Sequence, residues 1–119
     1  MPLVIIKADR NNLWLTDDYL RQFGLFMLEA VAETLSCKDS KFQLTVHDIE
    51  VDIRDQKPAD IRNSQYDLMI TIIAGEGPEL EATRQSKSQD LTAKIRDFLP
   101  GDTHGYVWLL VVPDCFTKF

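Results

Sequence analysis

Two βαβ halves joined into one α+β unit are what these 119 residues predict. Three observations carry that expectation. An apolar, β-branched strand opens each half, a long stretch of helical periodicity follows each strand, and a polar segment at 54–65 separates the halves. The expected arrangement is a four-stranded sheet with two helices on one face, in the order βαββαβ. The pseudo-repeats cover about 1–53 and 66–113 of a single domain spanning 1–119. A second core would have too little chain.

Pro2 to Ala8, with Leu-Val-Ile-Ile at its centre, reads as the first strand, and Asp9-Arg10-Asn11-Asn12 as a polar turn. Thr16 offers an N-cap oxygen, and Asp17 and Asp18 place negative charge on a first helical turn. Leu20, Phe23, Met27, Val31 and Leu35 then recur at helical spacing, giving a helix over 17–35. Leu25, Phe26 and Ala30 lie off that stripe, so a second covered face is expected. Phe42 to Val46 alternates with period two, shifts phase near His47-Asp48 and resumes at Ile49, Val51 and Ile53, which predicts one strand broken by a β-bulge.

In the second half, Tyr66 to Ala74 reads as a strand buried on both faces. Gly75, Gly77 and Pro78 form a turn, with Pro78 suited to a first helical turn. A helix over 79–98 turns Leu80, Leu91, Ile95, Phe98 and Leu99 inward and stops at Pro100-Gly101. Tyr106 to Val112 is the last strand. The same element order also describes a ferredoxin-like domain, whose members bind small ligands or partner proteins without catalysis.

Lys plus Arg number 13 against 19 Asp plus Glu, a net charge of −6 that argues against nucleic acid as a partner. No apolar run approaches the roughly 20 residues of a membrane-spanning helix, and the opening MPLVIIKADR lacks a signal-peptide pattern. Cys37 and Cys115 have no metal-ligand spacing and fit reduced thiols in a cytoplasmic protein. GxSxG, Walker A, GxGxxG and HExxH motifs are absent, and neither metal nor cofactor is expected. His47 and His104 fall on a strand irregularity and a loop and read as structural or exposed.

Pro2 stands directly behind the initiator methionine and directly before an apolar strand. Methionine is trimmed when the next residue is small, which would leave a secondary amine on a rigid strand. An α-amino group titrates near ~7.7–8.0, and cationic neighbours or desolvation lower that further. A neutral amine is a general base that can move a proton between carbon and oxygen.

Pro2, the strand it opens, the long helix and the repeat of that unit resemble the tautomerase superfamily. Within it, the two halves joined in one chain of this length look like macrophage migration inhibitory factor and 5-carboxymethyl-2-hydroxymuconate isomerase. The resemblance implies a homotrimer of βαββαβ subunits, with Pro2 as cofactor-independent acid/base catalyst at each subunit interface. Lys38, in LSCKDSKFQLTV, then falls where migration inhibitory factors carry a substrate-facing lysine. Tyr106 falls on their pocket-lining tyrosine, and Arg10 near a first-loop arginine of 4-oxalocrotonate tautomerase. Two positions depart: Trp108 stands where macrophage migration inhibitory factor has an asparagine, and Gln43 where 4-oxalocrotonate tautomerase has its carboxylate-gripping arginine. Read without the resemblance, Lys38 is a cation at a helix end, Tyr106 a half-buried strand residue and Arg10 a solvated turn residue. The expected function is keto–enol tautomerisation of a small carbonyl or enol substrate. The alternative is a non-catalytic oligomeric module for ligand binding or protein interaction.

Overall fold

The computed structural model describes residues 2–36, 44–56, 66–75 and 78–112, with the backbone alone at 78 and 79. Strand β1 (Leu3–Ala8), helix α1 (Asp17–Leu35), strands β2 (Glu50–Asp55) and β3 (Leu68–Gly75), helix α2 (Pro78–Phe98) and strand β4 (Gly105–Val112) follow in order. They form a four-stranded mixed sheet, β2-β1-β3-β4. β1 runs parallel to β2 and antiparallel to β3, and β3 runs parallel to β4. A parallel neighbour needs a crossover connection, which α1 supplies in one half and α2 in the other. This is the expected α+β arrangement of one four-stranded sheet and two helices.

The period-two pattern of the strands sorts the two sheet faces. Val4, Ile6 and Ala8 of β1 are buried, as are Leu68, Ile70, Ile72 and Ala74 of β3 and Leu109 of β4. Against them pack Leu20, Phe23, Met27, Val31 and Leu35 of α1 and Leu80, Leu91 and Ile95 of α2. Gly24 sets how closely α1 lies on the sheet, because a Cβ there would meet Ile53 Cδ1 at 3.3 Å and Val51 Cγ1 at 3.5 Å. Between the helices Phe98 stacks on Phe26 with ring centroids 4.4 Å apart and also touches Phe23 and Tyr19. Phe98 therefore faces α1 while remaining 37% exposed.

Among the described residues no helix lies over the opposite sheet face. Its rows follow the register: Glu50, Leu3, Ile73 and Leu110; Asp52, Ile5, Thr71 and Trp108; Arg54, Lys7, Met69 and Tyr106. Trp108 is 57% exposed there. The edge strand β4, GYVWLLVV, carries no charged residue.

The expected bulge is corrected. Val46–Asp48 is a short 3₁₀ turn and β2 begins only at Glu50. Thr45 and Asp48 account for the difference. The Asp48 carboxylate accepts from the Thr45 backbone N–H (2.8 Å) and from the Thr45 hydroxyl (3.1 Å), closing a capping box that favours a tight turn over an extended strand. Phe42 and Gln43 lie outside the described residues. The other boundaries agree with expectation to within two residues, and the Thr16 hydroxyl does cap α1 by accepting from Tyr19 N–H.

Candidate functional site

Pro2 lies at the entrance to β1, an interior strand of the sheet. Its side chain is buried and its carbonyl accepts the Glu50 N–H at 3.2 Å. Leu3 pairs with Glu50 on one side and Ile73 on the other, so this end of the sheet gathers the start of β2 and the ends of β3 and β4. Helix α1 runs back from the far end of β1 and ends at Leu35, towards the Pro2 end. A ring nitrogen held by a buried strand has little conformational freedom to lose on reacting, which suits a positioned base. Glu50, exposed, is the ionisable side chain at the adjacent β2 position.

Tyr106 and Arg10 stand at the other end. Tyr106 pairs with Met69, which pairs with Lys7, five residues along β1 from Pro2. That register puts roughly 20 Å between Pro2 and Tyr106 within one subunit, at about 3.3 Å per residue along a strand and 4.8 Å between strands. Tyr106 packs edge-on against Tyr66, with centroids 5.3 Å apart, on the helix-free face. Arg10 donates from Nη2 to Asp17 at 2.7 Å and from Nη1 to Asp55 at 3.2 Å. Its guanidinium pKa is raised, chiefly by the hydrogen bond to Asp17. Arg10 thus ties the β1–α1 turn to the end of β2. One subunit does not bring Tyr106 or Arg10 to Pro2. Lys38 and Gln43 lie outside the described residues.

The far end is pinned by a residue the sequence did not single out. Asp67 accepts from the Asn12 side-chain amide and from the His104 backbone N–H (2.9 Å). Its own N–H donates to His104 C=O at 2.8 Å, and its carbonyl accepts from Asp9 N–H at 2.9 Å. The β1–α1 turn and the α2–β4 loop are thereby fixed to the start of β3. Only the Asx-turn habit of aspartate hinted at this.

A groove of about 610 Å³ opens between α1 and the free edge of β2. Leu20, Leu28, Ile49 and Ile53 line its apolar part, with Arg10, Asp17, Glu50 and Asp55 among its polar residues. Pro2 does not line it, so its size is no guide to the chemistry of the amine. Among the described residues no three His, Cys, Asp or Glu side chains group as metal ligands. No helix among them is long and apolar enough to cross a membrane.

No family model and no curated protein matches the chain. Solved structures do. A malonate semialdehyde decarboxylase superposes with a TM-score of 0.66 at 14% identity, covering 98% of this chain and 89% of that one. Pt0534 inactivated by 2-oxo-3-pentynoate gives 0.64 at 18% identity, covering 93% and 85%. The macrophage migration inhibitory factor-like protein of Entamoeba histolytica gives 0.54 at 12% identity, covering 94% and 87%. The likeness is one of fold, and the fold is that of tautomerase-superfamily structures.

Proposed function

We propose that this chain is a cofactor-independent tautomerase in which Pro2, freed by removal of Met1, is the general base. The observation that carries the reading is the place of Pro2: buried at the entrance to an interior strand of a tautomerase-like sheet. The neutral amine takes a proton from the carbon alpha to a carbonyl, and the C–H electron pair becomes the new C=C bond as the carbonyl oxygen gains charge. The protonated amine returns the proton at oxygen to give the enol, and the reverse order gives the keto form. Lys38 polarises the carbonyl or holds an acid group, with Gln43 donating a neutral hydrogen bond beside it. The named neighbours include a decarboxylase with hydratase activity, so the scaffold alone does not select the reaction.

The working unit in this proposal is a homotrimer of single-domain subunits in the cytoplasm. Two features support assembly: Ile5, Ile73, Trp108 and Leu110 on a sheet face that no described helix covers, and the uncharged edge strand β4. Burial of that face against neighbours would carry Tyr106 of one copy towards Pro2 of the next. The substrate is then a small carbonyl or enol compound bound between copies.

A second reading has its own observation. Arg10 is already committed to Asp17 and Asp55, which favours a non-catalytic oligomeric module that uses the same fold for binding. Pro2→Ala decides between them. On an enol–keto probe such as phenylenolpyruvate, the tautomerase reading expects kcat/KM to fall by roughly 10²–10⁴, the usual contribution of a general base. Undiminished turnover would refute the mechanism, and no turnover by Met1-free wild type would favour the binding module.

A further inference from the structure

A ring nitrogen acts as a base only while neutral and as an acid only while protonated, so the charges beside it set how it shares those roles. The strand register says what stands beside Pro2. Leu3 pairs with Glu50, and the Pro2 carbonyl accepts the Glu50 N–H at 3.2 Å. Pro2 is therefore level with Ile49, whose backbone is extended at φ −117° and ψ 135°. The valence that removal of Met1 frees on the nitrogen points one step further along the line of β1, level with Asp48.

Thr45 fixes the Asp48 carboxylate in that place, donating its backbone N–H at 2.8 Å and its hydroxyl at 3.1 Å. Those two bonds are the chief reason the Asp48 pKa is lowered; His47 and the positive charge of the chain's amino terminus add to it. The carboxylate itself, and not the backbone of residue 48 alone, thus senses the terminus. The other elements bring little free charge to this end of the sheet. β3 and β4 finish in Ala74, Gly75, Val111 and Val112. In the last turn of α1, Glu33 lies 3.5 Å from Lys94 of α2. Lys87 of α2 donates to the carbonyls of Thr34 and Ser36, and Glu81 at the start of α2 is paired with Arg84. Among the described residues that leaves His47, Asp48 and the exposed Glu50.

We infer that Asp48 is the counter-charge of the Pro2 amine: held by Thr45, it stabilises the protonated ring nitrogen between taking a proton from substrate and returning it. The inference deepens the tautomerase reading and rests on it. Asp48 is a positioning residue, because it acts on the amine and not on the reacting atoms of the substrate. Burial of Pro2 draws its amine towards the neutral form, and an adjacent carboxylate draws it back. A group that is base in one half of a reaction and acid in the other works best when neither form dominates at the operating pH.

The test titrates the amine directly, by nitrogen NMR of full-length, Met1-free protein carrying isotope-labelled proline. Asp48→Asn keeps an oxygen for the Thr45 N–H and removes the charge. It should lower the titration midpoint of the Pro2 amine by about half a pH unit or more, the effect of one nearby unit charge at a protein surface. The difference should shrink in about 1 M salt, where screening acts within about 3 Å. Asp48→Glu, which keeps the charge, should retain most of the wild-type value. With phenylenolpyruvate as substrate, the rising limb of kcat/KM against pH should move down with the amine in Asp48→Asn, a change that a purely structural turn would not cause. If that variant folds poorly, Asp48→Ser also leaves an oxygen for Thr45 and gives the same reading. An unchanged midpoint, or a larger fall in Glu50→Gln, would overturn the assignment. A lowered midpoint with an unmoved pH profile would overturn its role in the reaction. Absence of turnover by the wild type would count against the tautomerase reading, with the amine titration still deciding whether Asp48 is the counter-charge.

Discussion

Two glycines four residues apart should respond in opposite ways to the same substitution. At Gly105, the first residue of β4, a Cβ would fall well inside 3.0 Å of the Leu68 carbonyl oxygen and 3.4 Å from its carbonyl carbon. Both atoms are backbone and cannot rotate away. Carbon–carbon contacts are comfortable near 3.5–4.0 Å, so β4 must retreat by about 1 Å at its first rung. That retreat pulls on the hydrogen bonds from Asp67 N–H (2.8 Å) and Leu68 N–H (3.3 Å) to His104 C=O. Overpacking of about 1–3 kcal/mol plus about 1 kcal/mol for a weakened bond gives a loss of roughly 2–4 kcal/mol for Gly105→Ala. For a chain of this length the melting temperature should fall by about 10 °C. A Cβ at Gly101 meets nothing within 4 Å, and its φ is not positive. Gly101→Ala should therefore be neutral or stabilising by up to about 1 kcal/mol, through the unfolded chain. Urea denaturation followed by circular dichroism measures both. Equal stabilities for the two variants, or a loss below about 0.5 kcal/mol at Gly105, would refute the steric argument.

Three further outcomes follow from separate features. The Asp48 carboxyl is held below its ordinary value, first by the Thr45 backbone N–H and then by the Thr45 hydroxyl. A depressed carboxyl stabilises the fold above its unfolded value and loses that contribution as pH falls through the folded one. Asp48→Asn should accordingly cost stability at pH 7 and progressively less below pH ~3.8; urea midpoints at pH 7 and pH 3 check this, and an unchanged difference contradicts it. Thr103 is buried, and its hydroxyl has no hydrogen-bond partner among the described residues. Thr103→Val, which keeps the shape, should be neutral or stabilising by about 1 kcal/mol, and a clear loss would show that the hydroxyl has a bound partner. Trp108→Glu places a charge on the helix-free sheet face; sedimentation should show trimers for the wild type and monomers for the variant, with α-helical content unchanged.

The first half of the chain shows why the fold was legible and where legibility stopped. Thr16, the two aspartates behind it and the apolar spacing to Leu35 are local signals, and α1 occupies the expected 17–35. The strand over 42–53 misled because alternation of apolar residues is satisfied equally by a strand and by a turn that leads into one. The deciding signal was Thr45 and Asp48 three residues apart, a pair that closes a turn. Phe98 was placed inward by periodicity, yet its ring lies between the helices and stays partly exposed.

The sequence nominates candidate site residues and does not place them. Pro2 announces itself through its position before an apolar strand. Nothing local in the sequence shows that Tyr106 and Arg10 lie at the opposite end of the sheet, because that follows from the antiparallel pairing of β1 with β3. The hydrogen bond from Lys87 to the Ser36 carbonyl was equally invisible, because the two are 51 residues apart and meet only when α2 packs beside α1. Single residues can advertise chemistry, whereas contacts between distant segments need the tertiary structure.

The central claim is that Pro2 presents a free, reactive amine. An intact mass spectrum of the protein after exposure to 2-oxo-3-pentynoate, an alkynyl 2-keto acid open to addition by an amine, tests it most directly. The tautomerase account predicts a chain lacking Met1 and carrying one reagent molecule, with the added mass on the peptide that begins at Pro2. Retention of Met1, an unmodified Pro2, or addition confined to Cys37 or Cys115 would contradict it.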